Sequence, residues 1–185
     1  MTAYFTSRNA AIAAAGGLVA ALLFSGVAQA ITDTVFRYSP VKTGHYTIDH
    51  FALHPINSSV ANEYSHGLNE GLVSNSAVGG CFNGGINLPH GATITDARVW
   101  YTSGVGVGDP VVAIFKQRLS DGARLVISQH LLTDNSVTRK AVNIPVAGDL
   151  IVNNAAFSYA IRVCLTLADS FYAARIGYSY ANAGD

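Results

Sequence analysis

Between Phe157 and Tyr180 the chain alternates with a period of two. Phe157, Tyr159, Ile161, Val163, Leu165 and Leu167 fill every second position, and Ser158, Ala160, Arg162, Cys164 and Thr166 lie between them. In an extended backbone this spacing sends successive side chains to opposite sides, so one face is apolar and has to be covered. After Ala168-Asp169-Ser170 the alternation resumes, with Tyr172, Ala174, Ile176, Tyr178 and Tyr180 on one face and Ala173, Arg175, Gly177 and Ser179 on the other. Two strands of this kind need a second apolar layer. A three-residue link permits either a hairpin or a corner that carries the second strand into a different sheet.

The first thirty residues carry a different pattern. Arg8 gives a positive start, Ala11 to Phe24 is apolar or small, and Val27-Ala28-Gln29-Ala30 ends in a small-x-small cleavage pattern. The apolar run is short against the ~20 residues that span a bilayer. We therefore expect residues 1–30 to be a signal peptide cleaved after Ala30 and the product to be secreted or held at the cell surface. No later run is apolar enough to cross a membrane as a helix. Of the 185 residues, about 155 then remain, residues 31–185, enough for one domain with a core. In that stretch the only glutamates are Glu63 and Glu70 and the only lysines are Lys42, Lys116 and Lys140. Valine, isoleucine, threonine and tyrosine replace such helix formers, and this predicts an all-β domain.

Turn signals divide the chain into short strands. Tyr46 and Ile48 lie on one face and Phe51 and Leu53 on the other, so a bulge is expected near Asp49-His50. Ser65 to Val73 reads as one strand interrupted by Gly67 and Gly71, and Cys81 to Leu88 as another weakened by glycine. Ala92 to Ser103 is long and β-rich. Asp121-Gly122 between the apolar runs Val111 to Arg118 and Arg124 to Leu132 is a hairpin signal. Ser136 to Val146 offers a further strand. Many short strands at this spacing predict a single β-sandwich, jelly-roll-like. Cys81 and Cys164 are the only two cysteines. In an exported chain they are expected to form a disulfide, which should lie on the polar face of its strand because Cys164 stands among the polar positions.

At Asn87-Leu88-Pro89-His90-Gly91-Ala92-Thr93-Ile94-Thr95, followed by Val99-Trp100-Tyr101, the chain resembles a group of secreted bacterial proteins of uncharacterised function with an LPxGAxIT turn and strand. Tyr159-Ala160-Ile161-Arg162-Val163 and Phe171 to Tyr178 match the two C-terminal strands of that group. The resemblance covers roughly Tyr46 to Tyr180 and implies a jelly-roll-like sandwich; it brings no catalytic residues with it.

Balanced charge, 11 basic against 11 acidic residues, argues against a nucleic-acid partner. His45, His50, His54 and His66 raise the question of a metal. On a strand, however, His50 and His54 would stand ~13 Å apart, too far to share one ion, and no metal-binding spacing is present. No metal or other cofactor is expected. No GxSxG elbow occurs, Glu63 and Glu70 lie in or beside a loop-like stretch, and the aspartates mostly sit at turns, where they bond to backbone. Gly104 to Gly108 leads into a strand rather than a helix, which does not suit a phosphate cradle. The chain is thus expected to be no enzyme but a binding or structural module whose partner is an extracellular protein or glycan, with a small secreted hydrolase as the alternative. The aromatics Trp100 and Tyr101 are its candidate ligand-binding residues. Strict alternation would place Trp100 beside Ile94, Asp96 and Arg98, and Ile94 on that face favours packing of Trp100 into the interior. An exposed Trp100 would instead offer a surface for a sugar ring.

Overall fold

The computed structural model describes residues 36–58, 63–67, 71–76, 78–104, 108–134 and 136–183. The expected signal peptide, residues 1–30, lies outside them, as do residues 105–107 of the glycine loop. In chain order the strands are β1 (Phe36–Asp49), β2 (His54–Pro55), β3 (Tyr64–Gly67), β4 (Gly71–Ser74), β5 (Gly80–Ile86), β6 (Thr93–Thr102), β7 (Val111–Arg118), β8 (Arg124–Leu131), β9 (Lys140–Ile144), β10 (Phe157–Leu165) and β11 (Ser170–Ala183). One sheet runs β3-β4-β11-β6-β9, with β1 also pairing β11; the other runs β2-β5-β10-β7-β8. The order β1-β11-β6-β9 in one sheet and β5-β10-β7-β8 in the other is that of a jelly roll. The fold is an all-β sandwich, as the turn spacing predicts.

The two strands with the clearest alternation are the centres of the two sheets. Tyr159, Ile161, Val163 and Leu165 of β10 are buried from one side, Phe171, Ala174 and Ile176 of β11 from the other. The corner between them is tight, with Ala168 at φ 71°. Asp169 holds it. Its fully buried carboxylate accepts from Thr166 N (2.7 Å), Thr166 Oγ1 (2.6 Å) and, across the sandwich end, Gly104 N (3.1 Å). The Asp-Gly hairpin also forms as expected. Gly122 takes φ 72°, a left-handed conformation that costs glycine little, and Ala123 N donates to Asp121 Oδ1 at 3.0 Å.

Cys81 and Cys164 stand directly opposite one another on β5 and β10 and are joined by a disulfide. Both are half-buried on the outer side of their sheet, while Phe82 and Val163 beside them are wholly buried. The bridge therefore lies away from the core, where the polar positions of β10 placed it.

Several local expectations are corrected. The parity change at Asp49-His50 is a 3₁₀ turn, His50–Ala52, rather than a bulge; Asp49 caps it by accepting from Phe51 N at 2.8 Å. The turn moves the chain from the first sheet to the second. This lets Ile48 and Leu53 both enter the core and leaves Phe51 half exposed. Ser65 to Val73 is two antiparallel strands, β3 and β4, rather than one. Register shifts on β6 and β11 change two further faces. Ile94 pairs with Tyr178 and Asp96 with Gly177, so Thr95 is an extra residue. Ile94 consequently joins Ala97, Val99 and Tyr101 in the core, and Trp100 goes outside. Phe171 pairs with Tyr101 and Ala173 with Trp100, so Tyr172 is extra; Phe171 takes the core position that strict alternation assigns to Tyr172.

Candidate functional site

Trp100 stands on the outer face of the six-stranded sheet, partly exposed. Its neighbours across the strands are Ala173 on β11 and Ala141 on β9. Both are too short to cover an indole ring. One rung further along the same face lie Arg175, Arg98 and Asn143 in a row, with Arg98 directly opposite Arg175. The two guanidinium carbons are 5.6 Å (Arg98) and 5.8 Å (Arg175) from the centroid of Trp100. These distances lie within the range of cation–π attraction but are too long for a stacked lid. At the other end of the strip Arg139 does stack, 3.8 Å above the ring of Tyr172. Trp100 is thus held less closely by its arginines than Tyr172 is by Arg139.

Neither Arg98 nor Arg175 forms an ion pair among the described residues, and the buried Nε of each has no hydrogen-bond partner there. The nearest carboxylate along the strand is Asp96. It accepts from Thr95 Oγ1 at 2.8 Å and lies over Gly177, where any Cβ would collide with its oxygens. Glycine at 177 thus makes room for Asp96 at the end of the strip.

Tyr101, expected beside Trp100 at the ligand surface, is 2% exposed and belongs to the core. The reason is geometric, since adjacent residues of a strand point to opposite faces. Burial chiefly, and then the charge of Asp134, push its phenol above the ordinary tyrosine range, with Lys140 opposing them. Its ring borders a small cavity of about 130 Å³ at the sandwich rim, together with His130, Asp134 and Lys140.

The histidines converge more than their spacing suggested. His50 and His66 have ring centroids 5.6 Å apart, Phe51 lies 5.3 Å from His66, and Tyr64 meets His66 edge-on at 5.2 Å. Burial first, then the charges of His50 and His54, hold His66 below the usual histidine range, while Asp49 acts in the opposite direction. His50 Nδ1 lies 3.0 Å from Asp49 Oδ1. Among the described residues no three histidine, cysteine or acidic side chains are placed to share a metal ion. A chain-local reading could not find this cluster, because it depends on the 3₁₀ turn meeting the β3–β4 hairpin.

Other carboxylates are engaged structurally. Asp149 pairs at 2.7 Å with Lys116, which is buried on the core side of β7; that hydrogen bond, the Ile151 N–H and the lysine charge hold the Asp149 carboxyl below its ordinary range. An open groove of about 420 Å³ runs beside the disulfide, lined in part by Ile56, Val78, Val111 and Thr166. It brings together no convergent charged groups comparable to the Trp100 strip.

The fold and this strip define a jelly-roll sandwich with an aromatic and cationic outer face. No family model and no curated protein sequence matches the chain. Among solved structures it is similar to the xylan-binding module CBM15, at 9% identity and TM-score 0.43, covering 76% of this chain and 98% of that one. It is also similar to TmCBM61 in complex with β-1,4-galactotriose, at 12% identity and TM-score 0.33, covering 83% and 94%. A third likeness is to the Podospora anserina GH26-CBM35 β-(1,4)-mannanase, at 13% identity and TM-score 0.42; it covers 72% of this chain and 27% of the mannanase. These likenesses concern the sandwich alone.

Proposed function

We propose that this chain is an exported, non-catalytic binding module that holds a glycan outside the cell or at its surface, with Trp100 as the stacking residue. The observation that carries this reading is the partly exposed indole between Ala173 and Ala141. A sugar ring presents a face of C–H groups, and the electron-rich face of an indole attracts it while burying apolar area. The groups around it, arginine and asparagine side chains, recognise polar substituents by hydrogen bonding.

The reading is tested by a glycan array probed with the wild-type protein and with Trp100→Ala. A defined class of oligosaccharide should bind, and the variant should lose about thirty-fold or more in affinity, as expected for a central tryptophan anchor. Unchanged binding by Trp100→Ala would remove the reading. Export is tested separately by sequencing the N-terminus of the mature protein, which should begin at Ile31; a product that retains Met1 would contradict it.

A further inference from the structure

We infer that the glycan held at Trp100 is anionic, its acid group being taken by Arg98 and Arg175. This rests on the glycan-binding reading and adds a ligand class to it. Like charges placed directly opposite one another on a sheet are destabilising. Here two guanidiniums face each other across β6 and β11, and neither has an ion-pair partner among the described residues. Each also carries a buried Nε without a hydrogen-bond acceptor there. Asp96, which could neutralise them, is turned towards Thr95 and Gly177. An anion on the outer side, beside the indole, would offset both charges and accept hydrogen bonds from both guanidiniums.

Geometry fits a single bound ring. The guanidinium carbons stand 5.6 Å and 5.8 Å from the centre of Trp100, far enough to leave them on the next rung. A ring lying on the indole would direct a rim substituent towards the next rung, where both arginines are. A carboxylate meets a guanidinium by two parallel N–H···O bonds, and a sulfate can bridge two of them. The shared chemistry is an acidic sugar, with uronate and sulfate ester as its two sources. A nucleic acid is a poorer fit, because single strands need a basic groove tracking several phosphates. The chain has zero formal net charge, and this strip ends at Asp96.

The test is a titration of the full chain with four probes: a uronate trisaccharide, the same trisaccharide with its carboxyls reduced to alcohols, a sulfated trisaccharide and a single-stranded oligonucleotide. Trp100 is the only tryptophan, so its emission reports occupancy directly. One of the acidic sugars should bind about ten-fold tighter than the neutral one, and this advantage should shrink as salt is raised. Arg98→Gln and Arg175→Gln should each bring acidic-sugar affinity down towards the neutral level without lowering the melting temperature, since each relieves a like-charge pair. Preference for uronate or for sulfate identifies the acid group. Equal binding of neutral and acidic sugars, unchanged by either arginine variant, overturns the anionic ligand and leaves the glycan reading standing. Tighter binding of the oligonucleotide than of any sugar, or no change in emission with any probe, overturns both.

Discussion

Each outer face of the sandwich carries an aromatic ring between two arginines and uses the trio differently. On the five-stranded sheet, Phe115 has Arg124 at 5.3 Å and Arg162 at 5.8 Å, much as Trp100 has Arg98 and Arg175 on the six-stranded one. Phe115 is nevertheless only 7% exposed. Arg162 is fixed by its bond from Nε to Asn83 Oδ1, 2.9 Å long, and one rung away the disulfide ties β5 to β10. On that face the aromatic ring is buried, and the hydrocarbon of long charged side chains is suited to covering it. On the other face alanines flank the ring, and among the described residues the arginines have neither an ion-pair partner nor an acceptor for Nε. An aromatic between two arginines is therefore not in itself a site. What distinguishes a site is whether the polar groups are already satisfied within the fold.

This contrast can be broken at several points. The largest expected effect is replacement of both Cys81 and Cys164 by alanine. At a sequence separation of 83, the chain-entropy model gives a loss of about 4–5 kcal/mol, measurable by urea unfolding. Sugar binding at Trp100 should persist wherever the variant remains folded, and its loss there would mean that the two faces are not independent. Next, Phe115→Ala should cost about 3 kcal/mol of stability and leave ligand binding intact. Trp100→Ala should do the converse, costing about 1 kcal/mol or less of stability. Equal destabilisation by the two would erase the distinction between a covered ring and an open one.

The smallest effect lies away from both faces, in the histidine cluster. Unfolded, His66 takes up a proton near pH 6.5; folded, it resists to lower pH because burial and then His50 and His54 disfavour its charge. Between those two values the unfolded chain binds more protons. Stability should therefore fall as pH drops below about 6.5 and level off once folded His66 is protonated. Melting curves from neutral to mildly acidic pH should follow this course, and His66→Phe should flatten it. A slope unchanged in that variant would assign the acid sensitivity elsewhere. Emission from Trp100 should not respond to pH over the same range.

Strands whose alternation is unbroken were legible in the sequence. The hairpin at Asp121-Gly122, the apolar face of β10 and the pairing of Cys81 with Cys164 all follow from period, turn chemistry and the presence of only two cysteines. Faces were misread where one residue is inserted into a strand. Thr95 and Tyr172 carry no glycine or proline to mark the insertion, yet each reverses every side chain on one side of it. That is why Ile94 and Phe171 are in the core and Trp100 is outside. The 3₁₀ turn had a signal that alternation alone overlooks, an aspartate able to cap the backbone at position 49. The juxtaposition of Arg98 with Arg175 had none, because it exists only once β6 and β11 are in register.

The most direct measurement of the central claim needs no ligand. Quenching of Trp100 emission by iodide and by caesium reports both whether the indole is accessible and the sign of the charge around it. The open, cationic strip predicts that iodide quenches several-fold more efficiently than caesium at low ionic strength, that added salt narrows the difference, and that the double change Arg98→Gln with Arg175→Gln abolishes it. Emission shielded from both ions, or quenched equally by them at low salt, would contradict the account of this face as a site awaiting an anionic partner.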